Sequence, residues 1–138
     1  MINYDSSLIY VASLENNNRG VFAKQNISKN TVVEIFPIVP LKFRTVYQFD
    51  ANIIHYSYIN DTCKCQECEK HGSIIYFPLG YGGIYNYASN NKESNISIKI
   101  NYEKFYGETI AIADISKDEE LISNFEESYI YRQINSQK

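Results

Sequence analysis

No cluster of lysine and arginine occurs anywhere in the chain, and 13 basic against 16 acidic side chains leave a formal charge of only −3. Nucleic-acid binding needs a basic face to neutralise phosphates, so that class of partner is excluded. Long apolar runs are also missing. The hydrophobic stretches are short and broken by polar residues, well below the roughly 20 residues a membrane-spanning helix requires. The N-terminus has no basic region followed by an apolar core, so no secretory leader is read there. Cysteine is limited to three copies between Cys63 and Cys68, an odd number that argues against a disulfide framework and fits a reducing compartment. These absences predict an intracellular protein, cytoplasmic or, in a eukaryotic or viral setting, nuclear. Tryptophan is absent as well. Set beside abundant Ile, Asn, Lys and Tyr, that lack reads as a bias toward A/T-rich codons and carries no chemistry.

The 138 residues suffice for one domain with a real core and are too few for two comfortable ones. Leu8-Ile9-Tyr10-Val11 is a β-type run that ends in a polar turn at residues 15–20, and Val21-Phe22-Ala23 resumes it. Thr31-Val32-Val33-Glu34-Ile35-Phe36 is strongly β by residue type. Pro37 and Pro40 cannot donate to a ladder, so the distal end of that run is expected at an edge or outside the sheet. Residues 43–58 have poor periodicity, with Phe49, Ile53, Ile54 and Tyr58 in a short helix or an irregular segment. Residues 61–72 read as a loop. Ile96, Ile98, Ile100 and Tyr102 alternate with Ser97, Lys99 and Asn101, the period of a half-buried strand. A turn at Tyr106-Gly107 should lead to a partner strand over 108–113 and form an antiparallel hairpin. No internal repeat is read. Many short strands joined by polar turns, with little helix, predict a mainly β domain.

One stretch stands apart from this pattern. Pro78-Leu79-Gly80-Tyr81-Gly82-Gly83-Ile84-Tyr85-Asn86-Tyr87-Ala88 packs three glycines and three tyrosines into eleven residues. Glycine at that density allows positive φ or close backbone approach, and the rings and the amide add recognition surface. Either a binding site or a glycine-rich turn with buried tyrosines fits.

Three separated segments resemble one family in order and spacing. Asn18-Arg19-Gly20-Val21-Phe22-Ala23, followed by Ile27-Ser28-Lys29-Asn30-Thr31-Val32-Val33-Glu34, looks like the opening of a SET domain. Leu79 to Ala88 is similar to its central segment, which ends in Asn-His-Ser. Ala113-Asp114-Ile115-Ser116-Lys117-Asp118-Glu119-Glu120-Leu121-Ile122-Ser123-Asn124-Phe125 resembles its C-terminal motif. The likeness covers nearly the whole chain as one domain, 1–138, with a variable insert at about 43–77, and the chain is similar to the compact stand-alone members of bacteria and large viruses. It implies small curled sheets with a threaded, knot-like C-terminal segment that brings the central and terminal motifs together. It also implies methyl transfer from S-adenosylmethionine to the side-chain amine of a lysine in a partner protein or peptide. In that frame Asn18, Arg19, Gly20, Asn86, Tyr87 and Phe125 border the cofactor, and Tyr81 and Tyr85 line the substrate channel.

The departures from the family pattern bear on activity. Tyr87-Ala88 replaces His-Ser, and Asn18 replaces a glycine. Phe125 occupies the position of the family's C-terminal tyrosine, whose hydroxyl sits beside the transferring methyl. The catalytic candidates are therefore Phe125, Tyr129 as an alternative source of that hydroxyl, with Tyr131 close by, and Tyr81. A SET-like module that binds cofactor or a lysine-bearing peptide without turnover is the competing reading. A small domain with short channel walls can also borrow one from a second copy, as a homodimer.

The cysteine loop adds a metal candidate. Cys63, Cys65, Cys68 and His71 offer three thiolates and an imidazole, the ligand types a structural Zn²⁺ prefers. The alternative is three surface or half-buried thiols beside a solvent histidine. His55 stands alone and is read as structural or exposed, and the acidic run Asp118-Glu119-Glu120 is read as a solvated turn.

Overall fold

The computed structural model describes residues 4, 6–15, 18–41, 56–60, 64–66, 69, 74–88 and 93–124. Its first two strands, β1 (Ile9–Ser13) and β2 (Arg19–Ala23), form an antiparallel hairpin with Ile9 opposite Ala23 and Ser13 opposite Arg19. The main sheet has five strands: β3 (Val32–Leu41), β4 (Tyr58–Asn60), β5 (Ile74–Pro78), β7 (Ile96–Asn101) and β8 (Tyr106–Ala111), in the order β4-β5-β3-β8-β7. A third, parallel pair joins β6 (Asn86–Tyr87) to β9 (Ile122–Ser123). The protein is thus mainly β, as its residue pattern predicts. The parallel pair puts Asn86 opposite Ile122 and Tyr87 opposite Ser123, so the central and terminal motifs meet.

β3 runs through both of its prolines, so of the two expected outcomes, an edge or an exit from the sheet, the edge is the one found. The strand passes them by changing partners. Residues up to Pro37 pair with β8, and residues from Ile38 onward pair with β5. Past Pro37 the strand is thus an edge on its β8 side, where a missing N–H costs little. The inward face of the sheet carries Phe36, Ile38, Ile96 and Ile98, all buried. Phe36 lies at the centre, fully buried and stacked on Tyr58 at 6.2 Å between ring centroids. Gly82 and Gly107 face its ring so closely that any side chain there would collide with it.

That contact explains a correction. The hairpin turn is not at Tyr106-Gly107, because those residues already belong to β8. It spans residues 102–105, where the Asn101 side chain accepts from the backbone N–H of Glu103 and Lys104 and Phe105 takes φ 57°. Gly107 is therefore a strand residue, small because Phe36 covers it.

A short internal repeat also appears in the hydrogen bonds. Asn26-Ile27-Ser28-Lys29-Asn30 and Asp114-Ile115-Ser116-Lys117-Asp118 are equivalent turns, facing each other about an approximate two-fold axis. Ile27 and Ile115 exchange both backbone bonds, at 2.7 and 2.8 Å. Asn30 N–H donates to the Ala111 carbonyl at 2.7 Å, and Asp118 N–H donates to the Ala23 carbonyl at 2.8 Å. Lys29 N–H donates to the Asp114 carboxylate and Lys117 N–H to the Asn26 side-chain oxygen. Asn30 and Asp118 both take left-handed backbone, φ 73° and 66°, which asparagine and aspartate tolerate better than most residues. The sequence pattern alone had suggested no repeat. Identity is limited to Ile-Ser-Lys, too short to stand out.

Candidate functional site

The site is built from the start of β2, the end of the glycine-tyrosine stretch and the turn before β9. Asn86 holds them together. Its side-chain N–H groups donate to the Arg19 carbonyl at 2.9 Å and to Glu120 Oε1 at 2.8 Å. Both amide hydrogens therefore go to protein acceptors, and Oδ1 is the part of the group left for another partner. Gly20 lies beneath Glu120, where a Cβ would come within 2.6 Å of Oε1, so the carboxylate can approach β2 only because residue 20 has no side chain. Phe22 and Glu120 form an isolated antiparallel bridge, and Leu121 N–H donates to the Val21 carbonyl at 2.8 Å. Arg19 extends its guanidinium over the ring of Tyr56, 5.7 Å from the centroid, at the exposed rim. Asn18 is exposed beside it.

A polar residue that sequence reasoning missed as role-bearing is Asn95, which is buried. Its amide donates to the Glu120 carbonyl at 2.9 Å and accepts from Ile122 N–H at 2.7 Å, which fixes Glu120 from the far side. Glu120 itself, read from sequence as part of a solvated turn, is half-buried between Gly20 and Asn86.

Beneath the glycine-tyrosine stretch lies Glu34, 2% exposed on β3. Its carboxylate accepts the Tyr85 hydroxyl at 2.7 Å and the Tyr81 backbone N–H at 2.9 Å. Gly80, at φ 68°, turns the chain over it, and the Tyr58 hydroxyl donates to the Gly82 carbonyl at 2.6 Å. Burial raises the Glu34 carboxyl above its ordinary range, and the two hydrogen bonds oppose that rise. Burial and then the Glu34 charge push the Tyr85 phenol well above its usual value.

The sequence-predicted residues thus separate. Asn18, Arg19, Gly20 and Asn86 come together, and Tyr87 follows on β6 with its side chain half-buried. Tyr81 is half-buried against the core. Tyr85, the other expected channel residue, is buried. It is 3% exposed and its hydroxyl donates to the Glu34 carboxylate at 2.7 Å. Phe125, Tyr129 and Tyr131 lie outside the described residues, as do Cys63, Cys68 and His71 of the zinc candidate. Cys65 is exposed, and among the described residues no group of three or more metal-binding side chains converges.

No family model matches the chain, and no curated protein does. Solved structures do. A Plasmodium falciparum protein named as a histone methyltransferase matches with a TM-score of 0.65 and 24% identity over 85% of this chain and 91% of that one. A chain of the Chaetomium thermophilum Polycomb Repressive Complex 2, in a structure bound to S-adenosylmethionine, matches with a TM-score of 0.59 and 19% identity. The match covers 94% of this chain but only 17% of that one. ATXR5, in a complex with a mono-methylated histone H3.1, matches at 0.65 and 14% identity, over 85% of this chain and 56% of that one. The chain has the SET-domain fold. On that fold the β2 start, the Asn86 clamp and the turn around Glu120 are the three segments whose sequences resemble the SET motifs, now in contact.

Proposed function

We propose that this protein is an S-adenosylmethionine-dependent methyltransferase that acts on the side-chain amine of a lysine in a partner protein. The observation that carries this reading is the Asn86 clamp, which brings Arg19 of β2 and Glu120 to one place. Support also comes from the fold neighbours, two of them named or solved as histone-directed proteins and one bound to S-adenosylmethionine.

The residues suit that cofactor in charge. S-adenosylmethionine carries an ammonium, a carboxylate and a sulfonium cation, and the site offers one carboxylate, one guanidinium and the Asn86 carbonyl oxygen. When bound, the cofactor supplies an electrophilic methyl group to a neutral amine. Glu120 favours a cation, and its clamping by Asn86 and Asn95 fixes its direction in advance. Arg19 can hold a carboxylate, with its guanidinium over the ring of Tyr56. Tyr81 offers a ring face to an alkylamine and helps exclude water.

The reading of a binding module without turnover keeps one specific support, the substitutions at Tyr87, Ala88 and Phe125. At Ala88 the backbone is intact, since its N–H donates to the Ser123 carbonyl at 2.9 Å. Losing the family's serine therefore leaves the β6–β9 pairing in place. Phe125 is the change with a chemical cost, the loss of a hydroxyl.

Incubation with methyl-labelled S-adenosylmethionine and a histone mixture tests the proposal. The native protein is expected to label lysine slowly, and Phe125→Tyr to raise the rate by about 10²-fold, the usual scale for one preorganised donor. No label in either form, with cofactor binding intact, would leave the binding module as the correct reading.

A further inference from the structure

Glu34 presents a problem of placement. On the inward face of β3 its neighbours at the same pleat positions, Phe36 and Ile38, are buried and apolar. Packing alone would put an aliphatic side chain there, because burying a carboxylate is costly unless its hydrogen bonds are made. Those bonds go to a single element, the glycine-tyrosine turn. One oxygen takes the Tyr81 N–H where the turn begins, and the other takes the Tyr85 hydroxyl where it ends. The titratable group facing Glu34 is the Tyr85 phenol, with Tyr58 of β4 nearby; Tyr81 meets it through its backbone N–H, and Thr109 of β8 is its cross-strand partner. The residue after Tyr85 is Asn86, whose amide ties Arg19 to Glu120.

We infer that Glu34 is a positioning residue: by holding both ends of the 81–85 turn it sets where Asn86 stands, and through Asn86 the distance between Arg19 and Glu120. Its consequence for cofactor binding rests on the methyltransferase reading, whereas its consequence for Asn86 does not. Replacing the carboxylate by an amide keeps the geometry. In Glu34→Gln the amide oxygen can accept the Tyr81 N–H, and the amide nitrogen can donate to the Tyr85 oxygen. Glu34→Ala takes the carboxylate away from both groups, and Tyr85→Phe removes one of the two tethers.

Two readouts on the full chain separate this role from general stability. The first is exchange of the Asn86 side-chain amide by NMR, and the second is calorimetric titration with S-adenosylmethionine, both well below the melting temperature. Glu34→Ala and Tyr85→Phe are expected to speed Asn86 exchange and weaken binding by about tenfold each, the scale of one lost hydrogen bond to a charged group. Glu34→Gln should return both to within about threefold of native, since its two bonds can be remade. Native exchange and affinity in Tyr85→Phe, or a glutamine variant as impaired as the alanine one, would overturn the inference. If Glu34→Ala does not fold, the other two variants decide. Should the native protein fail to bind S-adenosylmethionine, the methyltransferase reading falls, and the exchange rates alone judge Glu34.

Discussion

Glu34 shows how one side chain can be costly to bury and still be retained. Its carboxyl is raised above the ordinary value of 4.5 because burial outweighs the bonds from Tyr81 and Tyr85. The folded state therefore binds the Glu34 proton more tightly than the unfolded chain does. Between 4.5 and the raised folded value, stability contributed by this group is present at the low end and is lost as pH rises. Urea unfolding across that range should show a downward step with pH that Glu34→Gln abolishes. A native profile that rises through the same window, with the glutamine variant parallel to it, would contradict the burial argument. In the sequence Glu34 stands in a β-type run and closes the segment that resembles the SET opening, but neither reading gives it a role. That it faces inward follows from β3 register, which a run interrupted by two prolines does not reveal.

At the scale of elements, Phe36 organises the centre of the sheet. It is covered by Gly82 from the glycine-tyrosine turn and Gly107 from β8, so two glycines that look like turn residues serve instead as space for one ring. Gly107→Ala should overpack this contact and cost about 1–3 kcal/mol, and Phe36→Leu placed with it should recover part of that loss. Thermal melts of the two singles and the double give the coupling, and strictly additive shifts would show that the ring and residue 107 do not compete for space. The β7–β8 hairpin was legible because Ile96, Ile98 and Ile100 alternate with polar residues, but its turn was placed four residues late. Gly107 drew the turn toward itself, whereas the Asn101 side chain caps the true one. Likewise β5 is a run of β-forming residues, Ile-Ile-Tyr-Phe, within the stretch read only as a variable insert.

For the whole molecule, the two equivalent turns at 26–30 and 114–118 lock the β2 and β9 sides of the chain against each other across the long sequence separation between them. That arrangement carries Glu120 to Gly20 and, through the parallel β6–β9 pair, to Asn86. The mainly β class and the meeting of the central and terminal motifs could be expected from the sequence, since three short motifs in order were enough. The clamp itself could not be: Asn86 is marked by the resemblance, but Asn95 and Glu120 read as ordinary loop and turn residues until the fold brings Glu120 against both asparagines. The claim that this junction is a cofactor site is tested most directly by calorimetric titration of the purified protein with S-adenosylmethionine. The account predicts saturable one-to-one binding that Glu120→Ala weakens by about tenfold or more, as expected for loss of a partly buried charge partner. Heat no greater than dilution for the folded native protein, or binding indifferent to Glu120, would contradict it.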